Sequence, residues 1–200
     1  MTIILKYHLE LLTLVMVAMI GFAMVFVPEL TLIQKFMLAY MLLYTFHEWE
    51  ENRFPGGFSK LMAKFFGLDV TKEKEELSHI PVAVLLIAIT FVPFFWQNNI
   101  LALIPVYLGI FEALVHVAGI KHHKMSKHYT PGMITALALL LLSVCALAAF
   151  AKHGISAGSD FTLGLLCMFV CFAVMQRTVI AIFGMGYRDI IAKVKSKFKY

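Results

Sequence analysis

The chain has 200 residues, of which 61% are hydrophobic and 14% are charged, and its mean hydropathy is +0.85. A water-soluble domain of this length cannot bury so much apolar surface, so the composition excludes a soluble globular protein and predicts an integral membrane protein. The formal charge of +5 does not indicate a nucleic-acid partner, because the basic residues are spread over short connections and form no patch.

Six apolar runs follow one another along the chain, each near the ~20 residues that a helix needs to cross a bilayer. They extend over about 9–27, 31–52, 79–96, 100–120, 132–151 and 161–183. No small-residue cleavage site follows the first run, so we expect a retained helix and not a signal peptide. The sequence therefore predicts an all-α integral membrane protein with a six-transmembrane-helix bundle, in one domain over residues 1–183.

Two further segments lie outside the six apolar runs. Residues 58–67 combine large apolar side chains with two lysines, the pattern of a short helix in the membrane interface. Residues 184–200 are a basic tail. Most Lys and Arg residues fall at the N-terminus, in the 53–78 and 121–131 connections and in this tail. The positive-inside rule then predicts cytoplasmic N and C termini, in a bacterial-type inner or plasma membrane.

The second run ends in "HEWEENRFPGG" (47–57), which places a histidine and three glutamates where a membrane helix should finish. Residues three and four apart share a helix face, so we expect His47, Glu50 and Glu51 to point into the bundle and Glu48 to be turned away. The alternative is a helix end that simply meets water, although carboxylates at a helix C-terminus oppose the helix dipole.

A second pair, Glu112 and His116, lies four residues apart in the fourth run. In the predicted orientation this pair lies toward the cytoplasmic side, as does His79, which opens the third run. Ionisable side chains inside a membrane are costly and by default functional. Imidazoles and carboxylates on facing helices are also how helical bundles hold two metal ions. The alternative for each residue is a polar side chain that only hydrogen-bonds a neighbouring helix.

The connection after the fourth run adds His122 and His123, which either complete the site or form a lipid-headgroup patch with nearby lysines. It ends in "YTPG" (129–132). We expect Thr130 to cap the fifth helix, Pro131 to occupy its first position and the Tyr129 hydroxyl to donate a hydrogen bond near the cluster.

Before the third run, Ser78 and Pro81 predict a helix start, with Ser78 as the cap. The segment "KEKEEL" (72–77) is then a run of solvated charges. The three cysteines all fall inside apolar runs, which predicts packing residues and no thiolate metal ligands.

The segments "HEWEENRFPGGF" (47–58) and "HVAGIKHHKMSKHYTPGMITA" (116–136) resemble, in order and spacing, the two motif blocks of the HXXEE membrane protein family. Members of that family often have an amide at the position of Glu112, so the glutamate here is a departure. The resemblance names no substrate. It implies functional weight on the following residues: His47, Glu50, Glu51, Pro55, Gly56, His116, Tyr129, Pro131 and Gly132.

Together these observations predict a membrane-embedded metal-dependent enzyme with two bound metal ions and a lipid or other lipophilic substrate. The many carboxylates favour iron, and hence an oxidoreductase that uses dioxygen, while zinc (in a hydrolase) and manganese remain open. A proton- or metal-coupled transporter that uses the same groups is the alternative from another class, and a scaffold without metal is a third. The predicted catalytic residues are Glu50, Glu51 and Tyr129, and the predicted metal ligands are His47, Glu50, Glu51, His79, Glu112, His116, His122 and His123.

Overall fold

The computed structural model of the protein describes residues 3–67, 71–122 and 129–197. Helices account for nearly all of these residues, and the described ranges contain no β-strand. Their helices are α1 (Ile3–Lys6), α2 (His8–Phe26), α3 (Leu32–Asn52), α4 (Phe58–Phe66), α5 (Lys72–Trp96), α6 (Asn99–His122), α7 (Met133–Lys152), α8 (Gly158–Ile182) and α9 (Tyr187–Lys197).

Six of these helices, α2, α3, α5, α6, α7 and α8, coincide with the six predicted apolar runs, which confirms that each run is helical. All of them except α3 are both long and apolar enough to cross a membrane, which makes five such helices in the described ranges. The 21 residues of α3 are sufficient in length, but its last turns carry one histidine and three glutamates. The protein is thus a multi-pass, all-helical membrane protein.

The start of α5 differs from the prediction, because the helix begins at Lys72 and not at residue 79. Thr71 caps it, with a side chain that accepts a hydrogen bond from a backbone N–H of the first turn. Ser78 was wrongly predicted as the cap: its hydroxyl lies inside the helix and donates to the carbonyl of Glu75, 2.7 Å away. Pro81 also lies within the helix. The charged segment before Ser78 is therefore the first turns of α5.

Hydrogen bonds between helices show how they run relative to one another. Gln34, near the start of α3, donates from Nε2 to the carbonyl of Phe94, near the end of α5, at 3.2 Å. Trp49, near the end of α3, donates from Nε1 to the hydroxyl of Thr13, near the start of α2, at 2.8 Å. α2 and α5 therefore begin at the end of the bundle where α3 finishes.

Two glycines allow the neighbours of α6 to pack closely against it. A Cβ on Gly109 of α6 would lie 2.6 Å from the Ser143 hydroxyl of α7, and a Cβ on Gly164 of α8 would lie 2.6 Å from Cβ of Leu103. Small residues serve the same purpose at many contacts between membrane helices, where they let backbones approach. These contacts hold α6 between α7 and α8. They also fix the position of its polar residues along the axis of the bundle.

Helices α4 and α9, which are both too short to cross a membrane, lie near each other. α4 confirms the helix predicted for 58–67, and α9 occurs in the segment predicted only as a basic tail. The Tyr187 hydroxyl at the start of α9 donates to the carbonyl of Ala173 in α8, at 2.9 Å. Lys193 of α9 donates from Nζ to the carbonyl of Gly67, the C-cap residue of α4, at 2.8 Å. α9 therefore bridges α8 and α4.

Candidate metal centre

Two helices bring four potential metal ligands together toward the end of the bundle where α3 finishes. α3 supplies His47 and Glu51, and α6 supplies Glu112 and His116. One ligand atom of each residue lies within 4.8 Å of those of the others. In both helices the spacing of four residues places the pair on one face, as predicted from the sequence. These four residues are called the His/Glu cluster below.

Glu51 is the central member of the His/Glu cluster. Its Oε1 lies 3.0 Å from Nε2 of His116 and 3.6 Å from Nε2 of His47. Glu112 completes the cluster, with Oε2 at 3.8 Å from Nε2 of His47. Ligand bonds of about 2.1 Å to one ion, at tetrahedral or octahedral angles, put neighbouring donor atoms about 3.0–3.5 Å apart. The spacing of these atoms is therefore close to that of a metal-binding site.

A hydrogen-bonded chain fixes the tautomer of His47. Its Nδ1 lies 2.9 Å from the hydroxyl oxygen of Thr135 in α7. That hydroxyl donates its one hydrogen bond to the carboxylate of Glu50. In the contact with His47 the hydroxyl oxygen can therefore only accept a hydrogen bond. His47 therefore carries a proton on Nδ1, and in its neutral form it has a lone pair on Nε2, the atom that faces the cluster. Such an outer hydrogen bond is typical of metal-ligating histidines.

His116 is held in the same way by Thr130. The Thr130 hydroxyl donates to the backbone carbonyl of His116 at 3.3 Å and accepts from Nδ1 of His116 at 3.0 Å. The prediction that Thr130 caps the fifth helix, with Pro131 at its first position, is wrong, because α7 begins at Met133 with Gly132 as its N-cap. Thr130 is instead buried against His116 and orients its ring.

Three atoms of the His/Glu cluster are buried without a hydrogen-bond partner among the described residues: Nε2 of His47, Nε2 of His116 and Oε1 of Glu51. A buried polar atom left unpaired costs on the order of 1–3 kcal/mol. When both histidines are neutral, their Nε2 atoms present lone pairs, and so does the carboxylate oxygen, so in that state the three atoms cannot satisfy one another. A cation bound between them would satisfy all three, which is why the donor set fits a metal ion.

Glu50 faces away from this point, toward the start of α7. Its Oε1 accepts hydrogen bonds from the Tyr129 hydroxyl, at 2.7 Å, and from the backbone N–H of Ile134, at 3.1 Å. Its Oε2 accepts from the backbone N–H of Thr135, at 2.8 Å. Glu50 thus satisfies free N–H groups at a helix N-terminus, where a negative charge is also favoured by the helix dipole. The sequence predicted Glu50 as a metal ligand, but both of its carboxylate oxygens accept hydrogen bonds from the start of α7.

Tyr129, predicted as a catalytic residue, contacts Glu50 and not the His/Glu cluster. Burial, together with the hydrogen bond to Glu50 and the negative charge of Glu50, raises the pKa of Tyr129 to about 12. The hydroxyl therefore remains protonated at neutral pH and acts as a hydrogen-bond donor.

Gly132 packs directly against the cluster. A Cβ at this position would lie 2.6 Å from Cγ of Glu51 and 2.7 Å from Cε1 of His116. The backbone of Gly132 also has a φ of +94°, which side chains disfavour. Only glycine therefore fits here without displacing two of the four candidate ligands.

The other predicted ligands are not part of the four-residue group found among the described residues. His79 lies on α5 and stacks on His8, with ring centroids 4.5 Å apart and an angle of 5° between the ring planes. The sequence had given His8 no role. The side chain of His122, which ends α6, and all of His123 lie outside the described residues.

The His/Glu cluster forms part of the wall of a cavity of about 690 Å³. The cavity is lined by residues of α3, α4, α5, α6, α8 and α9, and His47, Glu51 and Glu112 all contribute to it. Most of the remaining wall is apolar and includes the rings of Phe111 and Phe172, whose centroids are 4.7 Å apart. A largely apolar cavity with a few polar groups at one place is typical of small-molecule binding sites.

Sequence reasoning missed the residues that support the cluster from outside. Thr135 received no role, although a hydroxyl in the first turn of a helix beside a predicted histidine site is a recognisable signal for a hydrogen bond. Phe58 was assigned only to an interfacial helix, whereas its ring lies 4.7 Å from that of His116. No periodicity in the sequence indicates that contact, because it depends on how α4 folds back over α3 and α6.

Comparison with known proteins identifies one family. The family model described as a protein of unknown function with HXXEE motif matches residues 38–147, which is more than half of the chain. The matched region contains all four residues of the His/Glu cluster together with Glu50, Thr130 and Thr135. No curated protein and no solved structure matches this chain.

Proposed function

This chain belongs to the HXXEE-motif family, and we propose that it is a membrane-embedded, metal-dependent enzyme that acts on a lipophilic substrate. The His/Glu cluster would bind the metal ion, and the adjoining cavity would bind the substrate. The observation that carries this proposal is the set of three buried, unpartnered lone-pair atoms on His47, His116 and Glu51. Hydrogen bonds from outside orient both histidines toward that one point.

We propose one ion per chain, in place of the two predicted from the sequence. The four side chains direct one donor atom each to one place, and three of them, those of His47, His116 and Glu51, suffice to hold a single ion. Carboxylate-bridged two-metal sites in helical bundles use four glutamates and two histidines. Glu50, which the sequence counted toward such a set, is committed to the start of α7.

Iron is our first choice of metal, with zinc and manganese as the alternatives. Two histidines and one glutamate are the ligand set of non-haem iron enzymes and also of several catalytic zinc sites. When bound, iron would supply dioxygen activation for an oxidation, and zinc would supply a Lewis acid for a hydrolysis. The apolar cavity supports a lipophilic substrate in either case.

Each cluster residue has a defined task in this proposal. His47, His116 and Glu51 hold the ion. Glu112 is the most accessible of the four, with 20% of its side chain exposed, and it lines the cavity. Glu112 is therefore suited to take up or release a proton at Oε2 beside the substrate. The apolar side chains around it exclude water from the reacting groups.

We further propose that α3 is a sixth membrane span and that both termini are cytoplasmic. Two of the ionisable groups that reduce the apolarity of α3, those of His47 and Glu48, are only 3% and 4% exposed, so they face the interior of the bundle. For Glu48 this differs from the prediction that its side chain is turned away. The basic residues of α4 and α9 lie near the end of α3, as the positive-inside rule requires of the cytoplasmic side.

The cavity is closed at the end that lies farthest inside the bundle, and this favours an enzyme over a transporter. Tyr44 and Leu108 lie one helical turn farther into the bundle than the His/Glu cluster, and they are 1% and 3% exposed. A transported ion would need a polar path beyond the cluster, and these side chains close that direction. Flux through reconstituted vesicles that depends on His47 would reverse this preference.

Elemental analysis of the purified protein tests the proposal. We expect about one iron per chain in the wild type, and loss of the ion in His47→Ala and His116→Ala. His79→Ala is the matched control, because His79 lines the same cavity outside the cluster; it should keep the ion. Two ions per chain would restore the prediction of a dinuclear site, and no specifically bound metal in the folded wild type would refute the metal-dependent function.

A further inference from the structure

The cavity is elongated along α8, and its lining residues there extend from Phe169 to the C-cap residue Phe183, a distance of ~21 Å at 1.5 Å per residue. The contact of Phe172 with Phe111 of α6 aligns the two helices. Glu112, the next residue of α6, is therefore at about the level of Ala173. The His/Glu cluster consequently lies near one end of the cavity and not at its middle.

The end beyond the cluster is short and apolar. Leu108 is four residues before Glu112 on α6, which is ~6 Å along the helix. Tyr44, one turn before His47 on α3, lines the same end, and its hydroxyl is occupied by a hydrogen bond to the carbonyl of Pro105 at 2.7 Å. Phe169 lines this level on α8. Only a short apolar segment of a ligand can lie beyond the metal site.

The end on the other side of the cluster is longer and becomes more polar. From Ala173 to Phe183 the cavity continues for ~15 Å. Polar side chains line it here, among them Asn52, Ser59 and Gln176. α4 and α9 border this end, and among their described side chains the exposed basic ones are Lys60, Lys64, Arg188 and Lys195, none of which lines the cavity wall.

We propose that the substrate is a single-chain amphiphile with an anionic head group, bound with its tail inserted first; this inference rests on the function proposed above. The head group would lie beside the basic residues of α4 and α9, and the end of the chain would contact Tyr44, Leu108 and Phe169. The reaction would then take place close to the buried end of the chain. A volume of about 690 Å³ is suited to one such chain, since cavities of roughly 300–1,000 Å³ bind drug-sized ligands.

The test is a competition among chains of different length. The purified protein is equilibrated with an equimolar mixture of saturated fatty acids from medium to long chain, and the bound fraction is extracted and compared with the mixture. We expect the wild type to enrich a narrow range of lengths. Phe169→Ala, which opens the deep end, should move that range by about two carbons toward longer chains. Phe169 is 48% exposed, so this variant is expected to fold.

Leu166→Ala is the matched control, because Leu166 is 56% exposed on the same helix and does not line the cavity; it should leave the range unchanged. A second mixture, of fatty alcohols of the same lengths, tests the head group, and we expect enrichment at least tenfold weaker than for the acids. The proposal is overturned if the wild type enriches no chain length, if Phe169→Ala leaves the range unchanged, or if alcohols are enriched equally.

Metal content measured in the same samples separates this inference from the proposed function. Bound metal without chain selection would overturn the amphiphile while the metal-dependent function stands. Chain selection without bound metal would support the binding mode and overturn the enzyme.

Discussion

Glu50 of α3 and Thr135 of α7 are joined by two hydrogen bonds, because one carboxylate oxygen accepts from both the backbone N–H and the hydroxyl of Thr135. The same hydroxyl accepts from Nδ1 of His47. One small contact therefore docks the start of α7 and orients a metal-binding candidate. The two adjacent glutamates of the motif have different contacts: Glu50 binds the start of α7, and Glu51 faces the other residues of the His/Glu cluster.

The first prediction separates the roles of these two glutamates. Glu50→Ala should lower the free energy of unfolding by about 2 kcal/mol, because partly buried N–H groups at the start of α7 lose a charged acceptor. Glu51→Gln should leave the fold intact and reduce metal occupancy at least tenfold, because it removes a ligand. Thermal unfolding in detergent and metal content, measured on both variants, check this. Equal loss of stability in the two variants would contradict the division of roles.

The second prediction concerns the outer hydrogen bond of His47. Thr135→Val keeps the shape but removes the hydroxyl, and it should weaken metal affinity roughly 10–100-fold. Thr135→Ser keeps the hydroxyl and should restore most of the affinity. Competition with a chelator measures both values. Thr90→Val is the control, since Thr90 is a buried threonine whose hydroxyl bonds only within α5; its metal affinity should equal that of the wild type.

The third prediction tests the close approach of Gly132. Gly132→Ala should release the metal, because the new methyl group would displace Glu51 and His116. Gly57→Ala is the matched control: its φ of +97° imposes a similar backbone cost, on the order of 1–3 kcal/mol, but a Cβ there meets nothing within 4 Å. Metal content should therefore fall in the first variant and not in the second. Retained metal in Gly132→Ala would show that the cluster can shift.

The fourth prediction is a dependence on pH. The raised pKa of Tyr129 means that the folded protein holds this proton more tightly than the unfolded chain, whose tyrosines titrate near pH 10. The contribution of Tyr129 to stability is thus complete below about pH 10 and is lost as the pH rises toward 12. Tyr129→Phe should cost about 1 kcal/mol at pH 7 through the lost hydrogen bond.

The difference in stability between the wild type and Tyr129→Phe should therefore shrink between about pH 10 and pH 12. Denaturant unfolding of both proteins over this range measures it, and the other tyrosines cancel because both proteins contain them. A difference that stays constant up to pH 12 would contradict the assigned contact with Glu50.

Much of the helical layout could be predicted because length, hydropathy and helix-breaking residues act locally. The two helix starts that were wrongly predicted have the same cause. Ser78 and Thr130 both look like caps in isolation, yet the first bonds within its own helix and the second bonds to His116. A local pattern does not indicate which of several available partners a hydroxyl will find.

The same distinction applies to the site. The spacing of His47 with Glu51 and of Glu112 with His116 indicated shared helix faces, and the structure brings those four together. Glu50 satisfies the spacing rule equally well, but α7 approaches it from the side and binds its oxygens. Which face of α3 meets which neighbour is set by packing among distant segments, so the spacing alone overestimates the ligand set.

The boundaries of the family match carry a consequence for the rest of the family. The region that defines membership, residues 38–147, includes every metal-binding candidate described above and ends before α8 and α9 begin. Those two helices supply Phe169, Gln176 and Tyr187 to the cavity wall. Under the proposed function, part of the substrate-binding wall is thus encoded outside the stretch that holds the metal ligands, and two proteins that carry the same motif need not accept the same molecule.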